Sequence, residues 1–520
     1  MKSGFNKGFG LALVLICTLS RVMAQDVSFD VNGFILEGEN PIGEEAAQAI
    51  LEPFSGTQEN LDGLERAAAE LEKSIHDAGY TFYRVVLPPQ TIEDGAIKLH
   101  IVRFNLGRIT VVGNNFHSEE NITRSLPGLK VGESPNAGEL SKNLALANLN
   151  ASKRAKLTFS PGAEAGTLDA LVEVVDRNPD RYYLWVNDTG NEETGEYRTG
   201  VGFRNANFLG RDQYLTATAT TSPTDIDQVS QFGLTWRGPH YSSNGMFNLY
   251  AIQSDVDSGT VAEFFQVRGS GTILGGGYSK FLPRIGAYRQ ILSTGLTDKL
   301  FDSDVDFSGQ PIGVDVRSRP VYLNYHGEFQ GENQPFNFDV SVNKNIKSGK
   351  YNDDETYAAA RQGADADWTL LRFSMDTIRQ FEKLTLRGYL SGQYADEPLI
   401  AGEQFGIGGA NSVRGFSERE LTGDRGIRAS IEVVSPKFGK GFDVGWFVDG
   451  GTVERVQPAA GESASVDIVS TGMLLNWQPN RQWLLHTDFA YVLDISGDAP
   501  VGGTQEGDER VHFNVTYFSD

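Results

Sequence analysis

Three groups of side chains in this chain have the types and spacing for chemistry. His486 and Asp488 stand two apart in an alternating stretch, so they share one strand face. An imidazole beside a carboxylate suits a general base, but no serine motif accompanies the pair. Alternate polar residues are also ordinary lining of a strand face. Asp302-Ser303-Asp304-Val305-Asp306 has the opening spacing of a calcium loop. Phe307 stands where that loop needs glycine, and Gly313 where it needs glutamate, so a solvated loop is the better reading. The third group is charged. Gly408-Gly409-Ala410-Asn411-Ser412-Val413-Arg414-Gly415-Phe416 offers one arginine in a glycine-rich run, and Phe447-Val448-Asp449-Gly450-Gly451 offers one aspartate. An ion pair between them and two separately solvated charges are both open on these residues alone. Gly275-Gly276-Gly277 reads as a strand bend rather than a phosphate cradle. No catalytic residue, metal or cofactor is expected.

Composition narrows the class. The chain has 520 residues, with 45 Lys and Arg against 68 Asp and Glu, a formal net charge of −23. A nucleic-acid partner is disfavoured, because displacing counterions needs clustered positive charge. The only cysteine is Cys17, which excludes a disulfide framework and a Cys-ligated metal. Lys2 and Lys7 precede an apolar run from Gly10 to Leu19, and Val22-Met23-Ala24 supplies small residues for cleavage. Residues 1–24 are therefore expected to be a signal peptide of an exported protein. No later stretch has eighteen consecutive apolar residues, so the remainder is either soluble or a β-barrel.

The elements that position the charged group fall into three regions. Residues 25–104 and 105–178 each read as a β-α-α-β-β unit. In the first, Val27 to Leu36 predicts a strand, and Leu61, Leu64, Ala68, Leu71 and Ile75 predict an amphipathic helix over 60–78. Strands at Phe82–Leu87 and Ala96–Val102 complete it. The second has strands at Arg108–Val112, Lys156–Phe159 and Leu168–Val175, with helices near Glu119–Ser125 and Ala137–Ala151.

Residues 179–520 alternate with period two. Phe336, Phe338, Val340 and Val342 interleave with Asn337, Asp339, Ser341 and Asn343, and Ile427, Ala429, Ile431 and Val433 with Arg428, Ser430 and Glu432. About sixteen strands, many of about 9–12 residues, predict a transmembrane antiparallel β-barrel. The sixth is centred near residue 267. Long polar stretches at 301–318, 346–366 and 395–424 become surface loops, and Leu209–Asp212 and Pro436–Gly441 short periplasmic turns. A mean hydropathy of −0.31 fits, because only every second strand residue faces lipid. Tyr182, Tyr183, Trp477 and Trp483 are placed at membrane interfaces. Trp446 and Val448 must face lipid, which turns Phe447 and Asp449 into the lumen.

With V-R-G-F in the sixth surface loop and F-x-D-x-G on strand thirteen, the chain resembles the superfamily of outer-membrane barrels that carry periplasmic POTRA domains. Two β-α-α-β-β units before sixteen strands narrow the resemblance to TpsB. These are the haemolysin and filamentous-haemagglutinin transporters of two-partner secretion. The resemblance spans nearly the whole chain after Ala24. It implies that Val413, Arg414, Gly415 and Phe416 form a lumen-loop motif and that Phe447, Asp449 and Gly451 form its partner on the wall. Arg414 is then expected to pair with Asp449 beside Phe447. It further implies POTRA domains in the periplasm that bind an unfolded exoprotein, a barrel in outer-membrane lipid, and barrel assembly machinery during biogenesis. The activity implied is transport, not enzymatic. The alternative is an insertase for other barrels, whose better-known members carry three or five POTRA units. Two features depart from the family. The last strand reaches Tyr517 in register, yet Phe518-Ser519-Asp520 extends past it. Many members carry a plug helix before the first POTRA, whereas the first strand here begins almost directly after Ala24. That helix is expected to be absent, or other elements to block the pore.

Overall fold

A computed structural model describes residues 29–519, apart from 59, 93, 191–193, 225, 227–228, 256–259, 262–264, 267–269, 303–305, 308–309, 312, 332–333 and 498–502. The signal-peptide expectation and Cys17 lie outside the described residues, as does most of the Asp302–Asp306 run. The chain forms two compact units. One runs to Leu106 and takes in Gly132–Gly138 and Gly162–Leu168; the other holds Gly107–Val131, Glu139–Pro161 and Asp169–Asp520.

In the first unit, a three-stranded sheet has the order Gly33–Glu37, Ala96–Arg103, Tyr83–Val86. The expected strand over 27–36 is broken at Asn32, whose amide and side chain bond to the carbonyls of Gly95 and Asp94 instead of a ladder. The helix is Asp62–Asp77, and it buries Leu64, Ala67, Ala68, Leu71 and Ile75. Those positions repeat at helical spacing, so one stripe meets Ile97, Leu99 and Ile101 in a single core. Leu61 sits before the first turn and is exposed. A second helix, Glu44–Leu51, was not singled out by pattern because its buried stripe is only Ala47 and Leu51.

A second sheet repeats the strand order: Asn105–Val112, Thr167–Asp176, Lys153–Pro161. Helices Glu119–Arg124 and Ala137–Ala147 accompany it. Both sheets carry a side-chain cap on an edge strand. Glu72 accepts the Val85 N–H at 2.9 Å, while Asn148 accepts the Ala155 N–H at 2.7 Å and donates to its carbonyl at 2.9 Å. The second sheet joins the barrel through buried Lys153, whose ammonium lies 2.7 Å from Asp212 Oδ2. Tyr241 Oη donates to the same carboxylate at 2.6 Å.

The remainder is a closed antiparallel barrel, with sixteen crossings among the described residues. Its strands are β1 (Asp180–Asn187), β2 (Arg198–Phe208), β3 (Gln213–Thr221), β4 (Gln231–His240), β5 (Gly245–Ser254) and β6 (Gly271–Phe281). Next come β7 (Tyr288–Phe301), β8 (Val316–Ser318 continued by Pro320–Gln330), β9 (Pro335–Asn345), β10 (Thr369–Gln380) and β11 (Thr385–Ala395). The last five are β12 (Arg425–Val434), β13 (Phe442–Glu454), β14 (Ser465–Trp477), β15 (Trp483–Ser496) and β16 (Glu509–Phe518). Closure is short: β16 pairs with β1 only from Asn514–Asn187 to Phe518–Tyr183. Leu234, Leu323, Val342, Ile431, Trp446, Val448 and Phe489 are exposed on the outer face, while Thr218, Ser391, Gln393, Asp449 and Asp488 are buried inside. An apolar belt around a closed ladder is what a hydrocarbon solvent requires, since no strand edge is left unpaired.

Two sequence expectations move. The sixth strand is not near 267 but at Gly271–Phe281, and Gly275 to Gly277 lie within it. Glycine reads as a strand breaker, yet here a Cβ would strike Tyr250, Leu249 and Tyr322, whose side chains cover the glycine backbone. Tyr183 is not at a lipid interface. Consecutive strand residues face opposite ways, so with Tyr182 and Leu184 exposed Tyr183 points inward and is buried against Trp185.

The second sheet carries one titratable latch. His117 Nδ1 lies 3.2 Å from Asp176, and its Nε2 lies 3.2 Å from Ser152 Oγ. Burial pushes the imidazole below its ordinary value despite the carboxylate. Burial alone would raise Asp176, but the N–H groups of Asn115, Phe116 and His117 hold its carboxyl below the usual range. Both shifts make the unfolded state bind protons first as pH falls, so stability drops below about pH 6.5 as the unfolded imidazole titrates, and again below about 4. Hydrogen exchange at Asn115, Phe116 and His117, corrected for intrinsic rates, should show opening becoming easier from pH 7 to 5, by at most about 1.4 kcal/mol per pH unit. His117→Gln should flatten that dependence.

Candidate functional site

The connection from β11 to β12 is the sixth surface loop, and it turns into the barrel. Gly408 and Gly409 have φ of 107° and 101°, which only glycine adopts without strain. They reverse the backbone so that Val413 to Phe416 run along the inner wall. Val413 and Phe416 are buried with Ile407, Leu421, Val453, Val466, Ile468 and Val492. Gly451 sits opposite: a Cβ there would come within 3.3 Å of both Ile407 and Val413, so the wall is cut back where the loop presses on it.

Arg414 is 5 % exposed, and Asp449 is fully buried. Arg414 Nε donates to Asp449 Oδ2 at 2.7 Å and Nη2 to Oδ1 at 2.8 Å, a planar two-point contact. The Arg414 backbone N–H also donates to Oδ2 at 3.1 Å. Nη1 reaches Glu432 at 2.9 Å and Asp488 at 3.2 Å, and Nη2 reaches Ser430 at 3.2 Å. The guanidinium carbon lies 3.5 Å from the centroid of Phe447, a desolvated cation–π contact. Phe447 can lie there because position 472 on β14 is glycine; a Cβ would stand 2.6 Å from its ring. Gly415, with φ 98°, donates its N–H to His512 Nε2 at 3.0 Å. His512 Nδ1 pairs with Asp188 at 2.7 Å, and the Phe513 N–H donates to the same carboxylate at 2.8 Å. The loop tip is therefore tied to the closing seam.

All seven motif residues meet in one place: Val413 to Phe416 on the loop, and Phe447, Asp449 and Gly451 on β13. Four further residues complete the site. Ser430 and Glu432 come from β12, Asp488 from β15 and His512 from β16. Period two already sets Ser430, Glu432 and Asp488 on the polar face of their strands, but it carries no signal that these strands converge on one arginine. His486 and Asp488 do pair, at 2.7 Å, yet the other oxygen of Asp488 serves Arg414.

The arrangement is a clasp. One cation holds a loop against three strands, and three carboxylates are held from repelling one another. Removing the cation leaves those carboxylates buried without it. Arg414→Ala and Asp449→Ala should each destabilise the barrel by about 3–5 kcal/mol. Their sum should exceed the cost of the double variant, read by denaturant unfolding in lipid vesicles. Arg414→Lys should not rescue, because an ammonium cannot make the two-point contact. Gly415→Ala should cost about 1–3 kcal/mol through its backbone angle.

Residues 166–474, more than half of the chain, match the family described as Haemolysin secretion/activation protein ShlB/FhaC/HecB. Residues 29–103 match the POTRA domain, ShlB-type. The chain is 27% identical over 223 residues to the heme/hemopexin transporter protein HuxB of Haemophilus influenzae strain 86-028NP, covering 40% of this chain and 39% of that protein. The match thus spans about two-fifths of that relative's length. It is 23% identical over 397 residues to the outer membrane transporter CdiB of Dickeya dadantii strain 3937, covering 74% and 68%. In fold it resembles CdiB from Escherichia coli, with a TM-score of 0.72 at 15% identity over 98% of this chain and 94% of that one. BamA from Haemophilus ducreyi lacking POTRA domains 1–3 gives a TM-score of 0.51 at 14% identity over 94% and 100%. A sixteen-crossing barrel behind POTRA-type repeats, with an arginine loop clasped to its wall, belongs to the haemolysin secretion/activation family ShlB/FhaC/HecB.

Proposed function

We propose that this protein is an outer-membrane translocation pore of two-partner secretion. It binds an unfolded exoprotein in the periplasm through POTRA domains at 25–104 and 105–178 and passes it through the barrel at 179–520 to the cell surface. The observation that carries the reading is a closed barrel with a polar lumen behind two sheet-bearing repeats, in a chain of a secretion family. A polar lumen suits passage of a hydrated chain, and sheet edges offer an extended client main-chain hydrogen bonds with little sequence demand. The caps at Val85 and Ala155 are groups that a client strand could replace, since Glu72 and Asn148 supply the same kind of bond. The heme/hemopexin transport and the outer-membrane transport in the names of the two relatives are consistent with this class without naming the client here. Outer-membrane lipid and the barrel assembly machinery are its other expected partners. Directional movement needs no bound cofactor and no catalytic residue: folding of the client outside removes it from the exchange. Arg414 and Asp449 act in this reading by holding the lumen loop.

The rival reading is an insertase, which shares the barrel. A paired proteome of culture supernatant and outer membrane, with and without this protein, separates them. Loss of one large secreted protein with other barrels unchanged is expected. A general fall in membrane barrels with no secreted protein lost would overturn the secretion reading.

A further inference from the structure

The same loop has a second buried charge, outside the motif. Glu403 follows Ala401 and Gly402 in a short 3-10 turn near the start of the loop and is fully buried. Lys299 Nζ on β7 donates to its two oxygens at 2.8 and 3.0 Å. Ser318 Oγ on β8 donates at 2.8 Å, and Arg372 Nη2 on β10 lies at 3.4 Å. Gln393 on β11 donates to the Glu403 carbonyl at 2.9 Å. The carboxylate therefore gathers three strands and the backbone carbonyl a fourth, and none of them is a strand that Arg414 grips.

The two attachments differ in solvation. Asp449 and Asp488 are 0% and 1% exposed at the side chain, so Arg414 could leave them only at the cost of buried, unanswered charge. Lys299 and Arg372 are 16% and 28% exposed, and both line a lumen cavity of about 680 Å³. That cavity is bounded on the loop side by Gly402, Phe405 and Gly406. If Glu403 withdraws, its cations remain at the edge of this cavity, where water can answer them. The Glu403 end is the one whose release is less costly, and the segment it holds forms a wall of the open part of the lumen.

We propose that Glu403 is a positioning residue of the pore. It pins the outer segment of the sixth loop to β7, β8, β10 and β11, so that the loop is strung across the lumen between this pin and the Arg414 clasp. Loss of the pin lets the turn from Ala401 to Glu403 swing while the clasp and the ladder of Phe405–Ile407 with Leu421–Gly423 hold, which widens the conducting path. This inference concerns the closed state of the barrel and does not depend on secretion. Its failure would leave the secretion reading standing, and the converse holds.

The test uses the full chain in planar bilayers and in vesicles. Glu403→Gln is nearly isosteric and keeps an oxygen for Ser318 Oγ, so it removes the charge with little change of shape. Mean single-channel conductance should rise at least about twofold as the open arrangement becomes populated. With Cys17 replaced, spin labels at Ala401→Cys and Ser465→Cys should give one narrow distance in the parent and a broadened, shifted distribution in Glu403→Gln. A label pair at Asn411→Cys and Ser465→Cys should stay narrow in both. A merely structural glutamate would lower stability without moving conductance or distance. An unchanged conductance, or an unchanged Ala401–Ser465 distribution, in folded Glu403→Gln overturns the proposal. Lys299→Met, which weakens the pin from the wall side, must move both readouts in the same direction, and failure to do so overturns it equally.

Discussion

A guanidinium inside a membrane barrel must have its donors answered by the wall, and that single demand organises this molecule. Arg414 makes five side-chain hydrogen bonds, to Asp449 twice, Glu432, Asp488 and Ser430. Each requires a particular strand at a particular height. Glycine at 472 makes room for the Phe447 ring, and glycine at 415 turns the backbone toward His512. In a confined lumen of low effective dielectric, attraction between such charges is stronger than at an open surface, and so is the penalty for leaving one alone. The loop is thereby fixed by electrostatics at its tip and by apolar packing of Val413 and Phe416 on either side.

The barrel supplies the rigid frame. Alternation sends apolar residues to lipid and polar residues inward, and closure removes the edges that lipid could not satisfy. Closure is thinnest where the first and last strands meet, with five ladder positions from Asn514 to Phe518. Above them, Asp188 accepts from the Phe513 backbone and pairs with His512, which in turn accepts from Gly415. Side chains here take over from the ladder, and they connect the seam to the loop that crosses the lumen.

The repeats before the barrel solve a different problem. A short sheet with an unpaired edge invites association, and both sheets blunt one edge with a side chain, Glu72 from a helix in one and Asn148 from the turn after a helix in the other. A side-chain cap is a reversible device: it satisfies the backbone when nothing else is bound. The second repeat is also held to the barrel's own turns through Lys153, Asp212 and Tyr241, where burial pushes the lysine below its ordinary value.

Much of this was legible in the residues. Helical spacing at Leu64, Ala68, Leu71 and Ile75 marked the packed face of one helix, and period two marked which strand residues face lipid. Long loops and short turns told the two ends of the barrel apart. Local pattern failed where neighbours decide. The sixth strand reads as centred near 267, yet Gly275 to Gly277 lie inside it, their backbone covered by side chains from β5 and β8. Tyr183 read as an interface aromatic, but the pleat turns it inward. The site divides in the same way. By itself the sequence determined that Asp449 and Phe447 share a face, that Glu432 and Asp488 also point inward, and that a glycine-rich loop carries one arginine. Only the tertiary structure decided that Ser430, Glu432, Asp449, Asp488 and His512 stand together, and that Glu403 holds the other end of the loop. Periodicity orders side chains along one strand, whereas the neighbours of a buried charge are set by register between strands and by closure of the barrel, which bring together residues far apart in the chain.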